Sequence, residues 1–99
     1  MQQQLLKRER TVTHILRTYG KQFTQIKELY SDGDNGRCAL GVIMSYYGWN
    51  GNDSDGSDRF SSTITILDRN NIDENLIIRL NDSGYTFDEI AGYLDRIGE

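Results

Sequence analysis

Apolar side chains recur at helical spacing along the first third of the chain and define one continuous face. Successive members are three, four or seven residues apart, which places them on one side of an α-helix. The members of this face are Leu5, Val12, Leu16, Tyr19, Phe23, Ile26 and Tyr30. The pattern predicts an amphipathic N-terminal helix over about residues 4–30. Gly20 leaves a second interpretation open, because a glycine there can end a helix as well as kink it.

The middle of the chain changes from turn residues to a continuous apolar segment. "SDGDNGR" at 31–37 contains Asp-Gly and Asn-Gly pairs, which favour tight turns. "CALGVIMSYYGW" follows and is apolar on nearly every side, which predicts a buried central helix over about residues 37–48. Residues 49–59 predict a flexible acidic loop. Beyond it, "FSSTITILDRNN" favours a short helix, with a β-like segment near 63–67 as the alternative.

Local capping signals predict two helices between residues 73 and 97. Asp73 is typical of the residue before a helix, and Gly84 of the residue after one. Thr86 and Glu89 have the spacing of a capping box, in which each side chain accepts a hydrogen bond from the other residue's backbone N–H. We therefore expect an all-α fold: one domain over residues 1–99, a small helical bundle with a C-terminal helix pair at 73–97.

The C-terminal stretch "LNDSGYTFDEIAGYLDRIGE" at 80–99 has the pattern of part of a helix-turn-helix DNA reader. Such a unit needs a recognition helix after its positioning helix, and only five residues follow Leu94. The predicted positioning helix also carries Asp88, Glu89 and Asp95, which would repel phosphates. The pattern therefore favours a helix hairpin that stabilises the fold over a DNA-reading unit.

Charge is distributed unevenly along the chain. Residues 1–30 carry a net charge of +4 and residues 31–99 a net charge of −8, which leaves −4 overall. The candidate nucleic-acid contacts, all on the polar face of the N-terminal helix, are Lys7, Arg10, Arg17 and Lys21. The acidic overall balance predicts weak nucleic-acid binding at most, since nucleic-acid-binding domains are usually basic. The apolar runs are too short for a transmembrane helix, so no membrane contact is expected.

Few residues are suited to catalysis or to metal binding. The single cysteine, Cys38, and the single histidine, His14, exclude an internal disulfide and a four-ligand zinc site, and a reducing, cytoplasmic compartment fits. Cys38 with His14 as base is a candidate nucleophile, and a buried core thiol is the commoner alternative. A calcium-loop frame centred on Gly56 puts Gly51 and Ser62 at ligand positions, which excludes a standard EF-hand. We expect no cofactor, no metal site and no catalytic residue.

Two segments resemble an uncharacterised family of small phage, bacterial and archaeal proteins. They are "GRCALGVIMSYYGW" at 36–49 and "IIRLNDSGYTFDEIAGYL" at 77–94. That family combines a Cys-Ala-Leu-Gly helix with an Asn-Asp dipeptide before a Ser/Thr-Phe-x-x-Ile-Ala helix, matched here by residues 38–41, 81–82 and 86–91. The resemblance implies that the Cys38 helix is central and that Asn81 and Asp82 lie at a buried helix end. Their side chains can there bond loop backbone groups or the N–H groups of a neighbouring helix start.

These observations predict a non-enzymatic protein-interaction or regulatory module, with a phage or mobile element as the candidate source. Its expected partner is another protein, and no pattern indicates an oligomeric state. Its candidate surface is either the basic face of the N-terminal helix or the acidic loop at 50–58. Tyr46, Tyr47 and Trp49 are the candidate contact residues if they are exposed, because exposed aromatic side chains anchor interfaces. A nucleic-acid accessory protein that uses the basic helix face is the second hypothesis. An enzyme centred on Cys38 is the third.

Overall fold

The computed structural model describes residues 11–52 and 56–97, and helices dominate this part of the chain. In chain order its elements are α1 (Thr11–Thr18), a 3₁₀ turn (Tyr19–Gln22), β1 (Thr24–Gln25), β2 (Gly36–Arg37), α2 (Ala39–Tyr46), α3 (Gly56–Arg69), α4 (Glu74–Asp82) and α5 (Phe87–Ile97). The two short strands pair in parallel, with Thr24 opposite Gly36. The prediction of an all-α fold is confirmed.

The N-terminal helix is shorter than the predicted span of residues 4–30. Residues 4–10 lie outside the part of the chain that the structure describes, and α1 ends at Thr18. The 3₁₀ turn brings Gly20 against the Phe87 ring, where an added Cβ would lie 2.8 Å from Cδ2. The chain then extends, because the backbone N–H groups of Thr24 and Ile26 donate to the carbonyls of Asn35, just before β2, and of Arg37 in β2. Tertiary pairing therefore overrides the helical period beyond residue 22.

The segment at 63–67 is helical, so the preference for a helix there is confirmed and the β-like alternative is wrong. It forms part of α3, which begins at Gly56, three residues before the predicted end of the acidic loop. The small parallel sheet between β1 and β2 was not predicted. Its strands hold two residues each, too few for an alternating pattern of apolar and polar residues to reveal them.

The central helix α2 forms the middle of the core. Residues 39–45 are all buried, as the apolar run predicts. Helices α1, α3 and α4 pack around α2, and α1 packs extensively against α5. The core residues contributed by other elements include Val12, Ile15, Leu16, Leu67, Ile77, Ile90 and Leu94. Burying an aliphatic side chain of this kind contributes about 1.5–3 kcal/mol to stability. The contacts between α2 and the surrounding helices therefore supply a large part of the stability of the core.

The capping signals of the C-terminal helix pair are confirmed. The Asp73 side chain accepts a hydrogen bond from the backbone N–H of Asn75 at 2.9 Å. Gly84 adopts a left-handed φ of 101° after α4. The backbone N–H of Thr86 donates to Glu89 Oε1 at 2.9 Å, and the backbone N–H of Glu89 donates to Thr86 Oγ1 at 3.1 Å. These contacts are local in sequence, which is why spacing alone predicts them.

A buried asparagine at the end of α4 joins three parts of the fold. Asn81 is almost fully buried. Its Oδ1 accepts hydrogen bonds from the backbone N–H of Ala39 at 2.9 Å and from Gln25 Nε2 at 2.8 Å. Its Nδ2 donates to the carbonyl of Ile26 at 2.7 Å. The expectation that Asn81 satisfies a neighbouring helix start and loop backbone groups is thereby confirmed.

The loop between β1 and β2 passes directly over the first turn of α2. A Cβ added to Gly41 would overlap with the carbonyl oxygen of Tyr30. Because backbone carbonyls cannot move as a flexible side chain can, only glycine fits at this crossing. Gly41 therefore sets the distance between the loop and the central helix.

Replacing Asn81 with alanine should lower the free energy of unfolding by about 2–4 kcal/mol, because the buried N–H of Ala39 and the part-buried carbonyl of Ile26 lose their partner. Urea unfolding followed by circular dichroism measures the change. Asn75→Ala is the matched control, since Asn75 is exposed on the same helix and should change stability by less than about 0.5 kcal/mol. Equal effects of the two substitutions would contradict the role given to Asn81.

Two glycine-to-alanine substitutions should have opposite effects on stability. Gly41→Ala should destabilise the protein by about 1–3 kcal/mol through the overlap with Tyr30. Gly92→Ala in α5 should stabilise it by about 0.5–1 kcal/mol, because its nearest foreign atom would be 4.0 Å from the new Cβ. The same urea experiment measures both, and a stable Gly41→Ala variant would disprove the close crossing.

Candidate functional site

Four aromatic rings meet at the C-terminal end of α2. We call Tyr19, Phe23, Tyr46 and Tyr47 the aromatic cluster. The Tyr46 ring lies edge-on to Tyr19 at 5.4 Å and 85°, and to Tyr47 at 5.1 Å and 88°. Tyr19 also contacts Phe23 at 5.6 Å and 62°. Edge-to-face pairs at these distances are favourable beyond the area that they bury, so the rings hold one another in place.

These rings come together because α1 ends at Thr18, earlier than its apolar period predicts. The 3₁₀ turn carries Tyr19 to α2, and the extended residue after it is Phe23. Tyr46 is the last residue of α2 and remains 46% exposed, whereas Tyr47 is half-buried. Burial, and to a lesser degree the nearby Tyr46, raises the pKa of Tyr47. In the aromatic cluster the Tyr46 ring is therefore exposed, and the other three rings, which are partly buried, support it.

Basic groups lie beside the aromatic cluster. Lys21 is exposed in the 3₁₀ turn between Tyr19 and Phe23. The Arg59 Nη1 donates to the carbonyl of Tyr47 at 3.3 Å, which brings a second cation from α3. An exposed aromatic ring beside positive charge suits a partner surface that combines apolar and acidic side chains.

Trp49, the third candidate contact residue, belongs to the core instead of the surface. Its side chain is 5% exposed, and its indole N–H donates to the carbonyl of Asn52. The left-handed Gly48, with φ of 111°, turns the chain back, and the backbone N–H of Trp49 donates to Met44. The backbone N–H of Gly48 also donates to the carbonyl of Ser45, so the helix ends in a motif in which the residue after a left-handed glycine packs back on the last turn. Gly48 is the local signal for this reversal, and the prediction of Trp49 as a contact residue did not use it.

A buried arginine that sequence reasoning missed fixes the loops around the central helix. Arg37 is 5% exposed. Its Nε donates to Ser45 Oγ at 2.9 Å, and its Nη1 donates to Ser31 Oγ at 3.0 Å and to the carbonyl of Asp34 at 2.7 Å. Its guanidinium also lies 4.7 Å from the centre of the Phe23 ring. Arg37 thus supports the aromatic cluster from below, through cation–π contact and hydrogen bonds.

Only two of the four residues of the predicted basic face lie in the part of the chain that the structure describes. Lys7 and Arg10 lie outside the described part of the chain. Arg17 and Lys21 are exposed, as the helical pattern predicts. Arg17 Nη1, however, lies 2.7 Å from Asp95 Oδ2 of α5, in an ion pair whose side chains are each 43% exposed. This carboxylate offsets part of the positive charge that a phosphate backbone would need.

The first turn of α5 in the C-terminal hairpin presents acidic side chains. Helix α5 packs its apolar face against α1. Its exposed residues include Asp88 and Glu89 in the first turn. A recognition helix presents its first turn to the bases, so this end would place two carboxylates against nucleic acid. The geometry supports the interpretation of the hairpin as a stabilising unit.

A cleft lies at the other end of α2 from the aromatic cluster. This cleft has a volume of about 320 Å³ and is lined by Glu28, Leu29, Tyr30, Cys38, Ile78, Asn81 and Asp82. The loop between the two strands forms one wall, and α4 forms the opposite wall. We call it the α2–α4 cleft. Its lining was not predicted, because loop residues without periodicity give no signal of where they fold back.

Glu28 holds the loop wall of the α2–α4 cleft in a strained backbone conformation. Its φ of 70° lies in the left-handed region, which non-glycine residues seldom adopt. The backbone N–H of Glu28 donates to Asp82 Oδ1 at 3.0 Å, and this contact compensates the strain. The next residue, Leu29, projects outward and is 58% exposed. The Tyr30 ring stacks on Phe60 at 5.5 Å and 27°.

Cys38 lies at the floor of the α2–α4 cleft and caps α2. Its Sγ accepts a hydrogen bond from the backbone N–H of Gly41 at 3.4 Å. Burial raises the pKa of the thiol, in contrast to the lowered value that an activated nucleophile needs. His14, the candidate base, is exposed on α1. These surroundings favour the interpretation of Cys38 as a core and capping residue.

Comparison of the chain with protein-family models, with curated proteins and with solved structures finds no match. The resemblance to the family of small phage, bacterial and archaeal proteins stays a prediction. Within residues 11–52 and 56–97, no group of three or more histidine, cysteine, aspartate or glutamate side chains is arranged to hold a metal ion. None of the helices in these ranges is long and apolar enough to cross a membrane.

The Cys38 thiol should react slowly in the folded protein. At neutral pH, labelling with a chromogenic disulfide should be at least about tenfold slower than in the urea-unfolded chain, because the reactive thiolate is both buried and disfavoured. Absorbance of the released thiol measures the rate. Equal rates in the folded and unfolded states would contradict the buried position of Cys38.

The raised thiol pKa also predicts how stability changes with pH. The folded chain keeps the Cys38 proton to higher pH than the unfolded chain, so the contribution to stability is present below the ordinary thiol pKa of about 8.5 and lost above it. Cys38→Ser keeps a capping side chain and removes the titration. Wild type should therefore lose more stability than this variant between neutral pH and pH 10, and parallel pH profiles would contradict the prediction.

Proposed function

We propose that this chain is a non-enzymatic protein-interaction module whose contact surface is the aromatic cluster. The observation that carries the proposal is Tyr46, a large ring left half-exposed while Tyr19 and Tyr47 fix it edge-on. Tyrosines dominate interface hot spots because they bury a large area and lose little conformational entropy. Since neighbouring rings already hold Tyr46, binding would cost little further ordering.

Charge supports a partner with acidic groups around an apolar contact. Lys21 is exposed in the turn between Tyr19 and Phe23, which places a positive charge next in the chain to two rings of the cluster. Complementary charges at the rim of an interface raise the association rate and exclude partners of the wrong sign. The proposed partner surface is therefore an apolar patch bordered by aspartate or glutamate.

The location and source that go with this function are also proposals. A cytoplasmic, reducing compartment suits a chain whose single cysteine, Cys38, is a free buried thiol. The resemblance to phage, bacterial and archaeal small proteins supports a phage or mobile element as the source. A regulatory role would follow if the module occupies its partner's surface and blocks another contact.

Nucleic-acid binding through the basic face has weaker support than a protein contact. The crosslinking experiment below distinguishes the two. Arg17 is paired with Asp95 at 2.7 Å, and the chain carries a net charge of −4. Binding of this kind would depend steeply on salt and would be abolished by nuclease treatment of the sample. These two properties distinguish it from a protein contact.

Site-specific photo-crosslinking tests the proposed surface. A benzophenone amino acid replaces Tyr46, and in the matched control it replaces Tyr85, which is 45% exposed and lies between α4 and α5. In lysate of the source cells, position 46 should give a discrete protein adduct that nuclease treatment does not remove. Position 85 should give none. Adducts of equal yield at both positions, or adducts lost on nuclease treatment, would contradict the proposal.

Competition with unlabelled protein measures the contribution of the Tyr46 ring. Tyr46→Ala should compete for the adduct at least about tenfold less well than wild type, as expected for an aromatic anchor. Tyr85→Ala should compete like wild type. Tyr46→Ala also removes two edge-on ring contacts and should lower the melting temperature more than Tyr85→Ala, so the competition is measured at a temperature at which circular dichroism shows both variants folded. Equal competition by both variants would place the contact elsewhere.

A further inference from the structure

The α2–α4 cleft combines apolar walls with charge of a single sign. Leu29, Tyr30 and Ile78 supply apolar surface, while the charged residues among those that line the cleft are Glu28 and Asp82. Glu74 lies close enough to Tyr30 to help raise the pKa of its phenol, after burial and Cys38. A third carboxylate therefore stands near one wall.

The basic residues adjacent in sequence do not line the cleft. The Lys27 Nζ lies toward the turn after α4, 3.9 Å from where a Cβ on Gly84 would be. Arg79 is exposed and follows Ile78 on α4, and it is not among the lining residues. The field inside the cleft therefore favours a cation over an anion.

The loop that carries Leu29 is fixed in place before any partner binds. Asn81 Nδ2 donates to the carbonyl of Ile26, Asp82 Oδ1 accepts from the backbone N–H of Glu28, and the carbonyl of Tyr30 rests on Gly41. These three anchors surround one exposed leucine. A leucine that a strained, well-anchored backbone directs into solvent is available to a partner at little ordering cost.

We propose that the α2–α4 cleft binds a basic peptide segment of a partner protein, in which leucine-like side chains are flanked by lysine or arginine. The apolar side chain packs against Leu29, Tyr30 and Ile78, and the flanking cations lie beside Glu28 and Asp82. A volume of about 320 Å³ suits one or two side chains, so the cleft takes a short linear segment instead of a folded surface. This site is separate from the aromatic cluster, which lies at the other end of α2, and the proposal does not depend on that cluster.

Fluorescence anisotropy with designed peptides tests the proposal on the full chain. The probe is a fluorescein-labelled octapeptide, GKKLLKKG, and its two matched controls are GEELLEEG and GKKSSKKG. Wild type should bind the probe saturably with a Kd at or below about 100 µM at low salt. Both control peptides should bind at least tenfold more weakly, because one lacks the cations and the other lacks the apolar side chains.

Three variants locate the binding. Leu29→Ser should weaken binding of the probe at least fivefold, and Glu28→Gln should weaken it about two- to fivefold, as expected for an exposed charge pair. Asp68→Asn removes an exposed carboxylate of α3 that is not among the lining residues, so it should leave the Kd unchanged. Circular dichroism spectra and melting curves confirm that each variant is folded, which is expected since the three side chains are exposed.

The proposal is overturned by any of three results. The first is the absence of saturable binding of GKKLLKKG up to about 1 mM, well beyond the affinity expected of such a cleft. The second is equal binding of GEELLEEG, which would remove the argument from charge. The third is binding that Leu29→Ser and Glu28→Gln leave unchanged, which would place the peptide outside the α2–α4 cleft.

Discussion

The buried side-chain amide of Asn81 is the interaction on which the arrangement of the other elements depends. The Asn81 side chain, in the last turn of α4, accepts from the first backbone N–H of α2 and donates to the extended segment after β1. The first N–H groups of a helix have no partner within the helix, so a buried helix start needs an external acceptor. Asn81 supplies that acceptor for Ala39 and thereby allows α2 to lie in the core. An aspartate would offer no donor for the loop carbonyl, and a leucine would offer neither group.

Both candidate surfaces follow from the position of α2. Its last residue, Tyr46, emerges beside the 3₁₀ turn and joins the aromatic cluster. Its capping residue, Cys38, forms the floor of the α2–α4 cleft. The helix of eight residues separates the two features by roughly 12 Å at 1.5 Å per residue. One end is bordered by cations and the other by carboxylates, so the two surfaces suit partners of different chemistry.

Features whose cause is local could be predicted from the sequence. The caps at Asp73 and Thr86 depend on residues two or three positions away, and the burial of α2 follows from a continuous apolar run. The burial of Asn81 was expected only from the family resemblance, and the ability of its side chain to bond nearby backbone groups then followed from its chemistry.

Features set by distant parts of the chain could not be predicted. The helical period continues to Tyr30, yet pairing with β2 and contact with Phe87 end the helix near residue 18. The same holds for the candidate surfaces. Tyr46 was a candidate from its type alone, and the α2–α4 cleft depends on a loop whose path is set by Gly41 and Asp82. The burial of Trp49 is different, because its cause, the left-handed Gly48, is local and the sequence prediction missed it.

Hydrogen exchange at the backbone amide of Ala39 tests the central role of Asn81 most directly. This N–H is at the first position of α2, where a helix provides no acceptor of its own, and Asn81 Oδ1 lies 2.9 Å away. This amide should exchange at least about a thousandfold more slowly than in an unstructured peptide, as a core amide does. Exchange near the unstructured rate, with later amides of α2 protected, would contradict it.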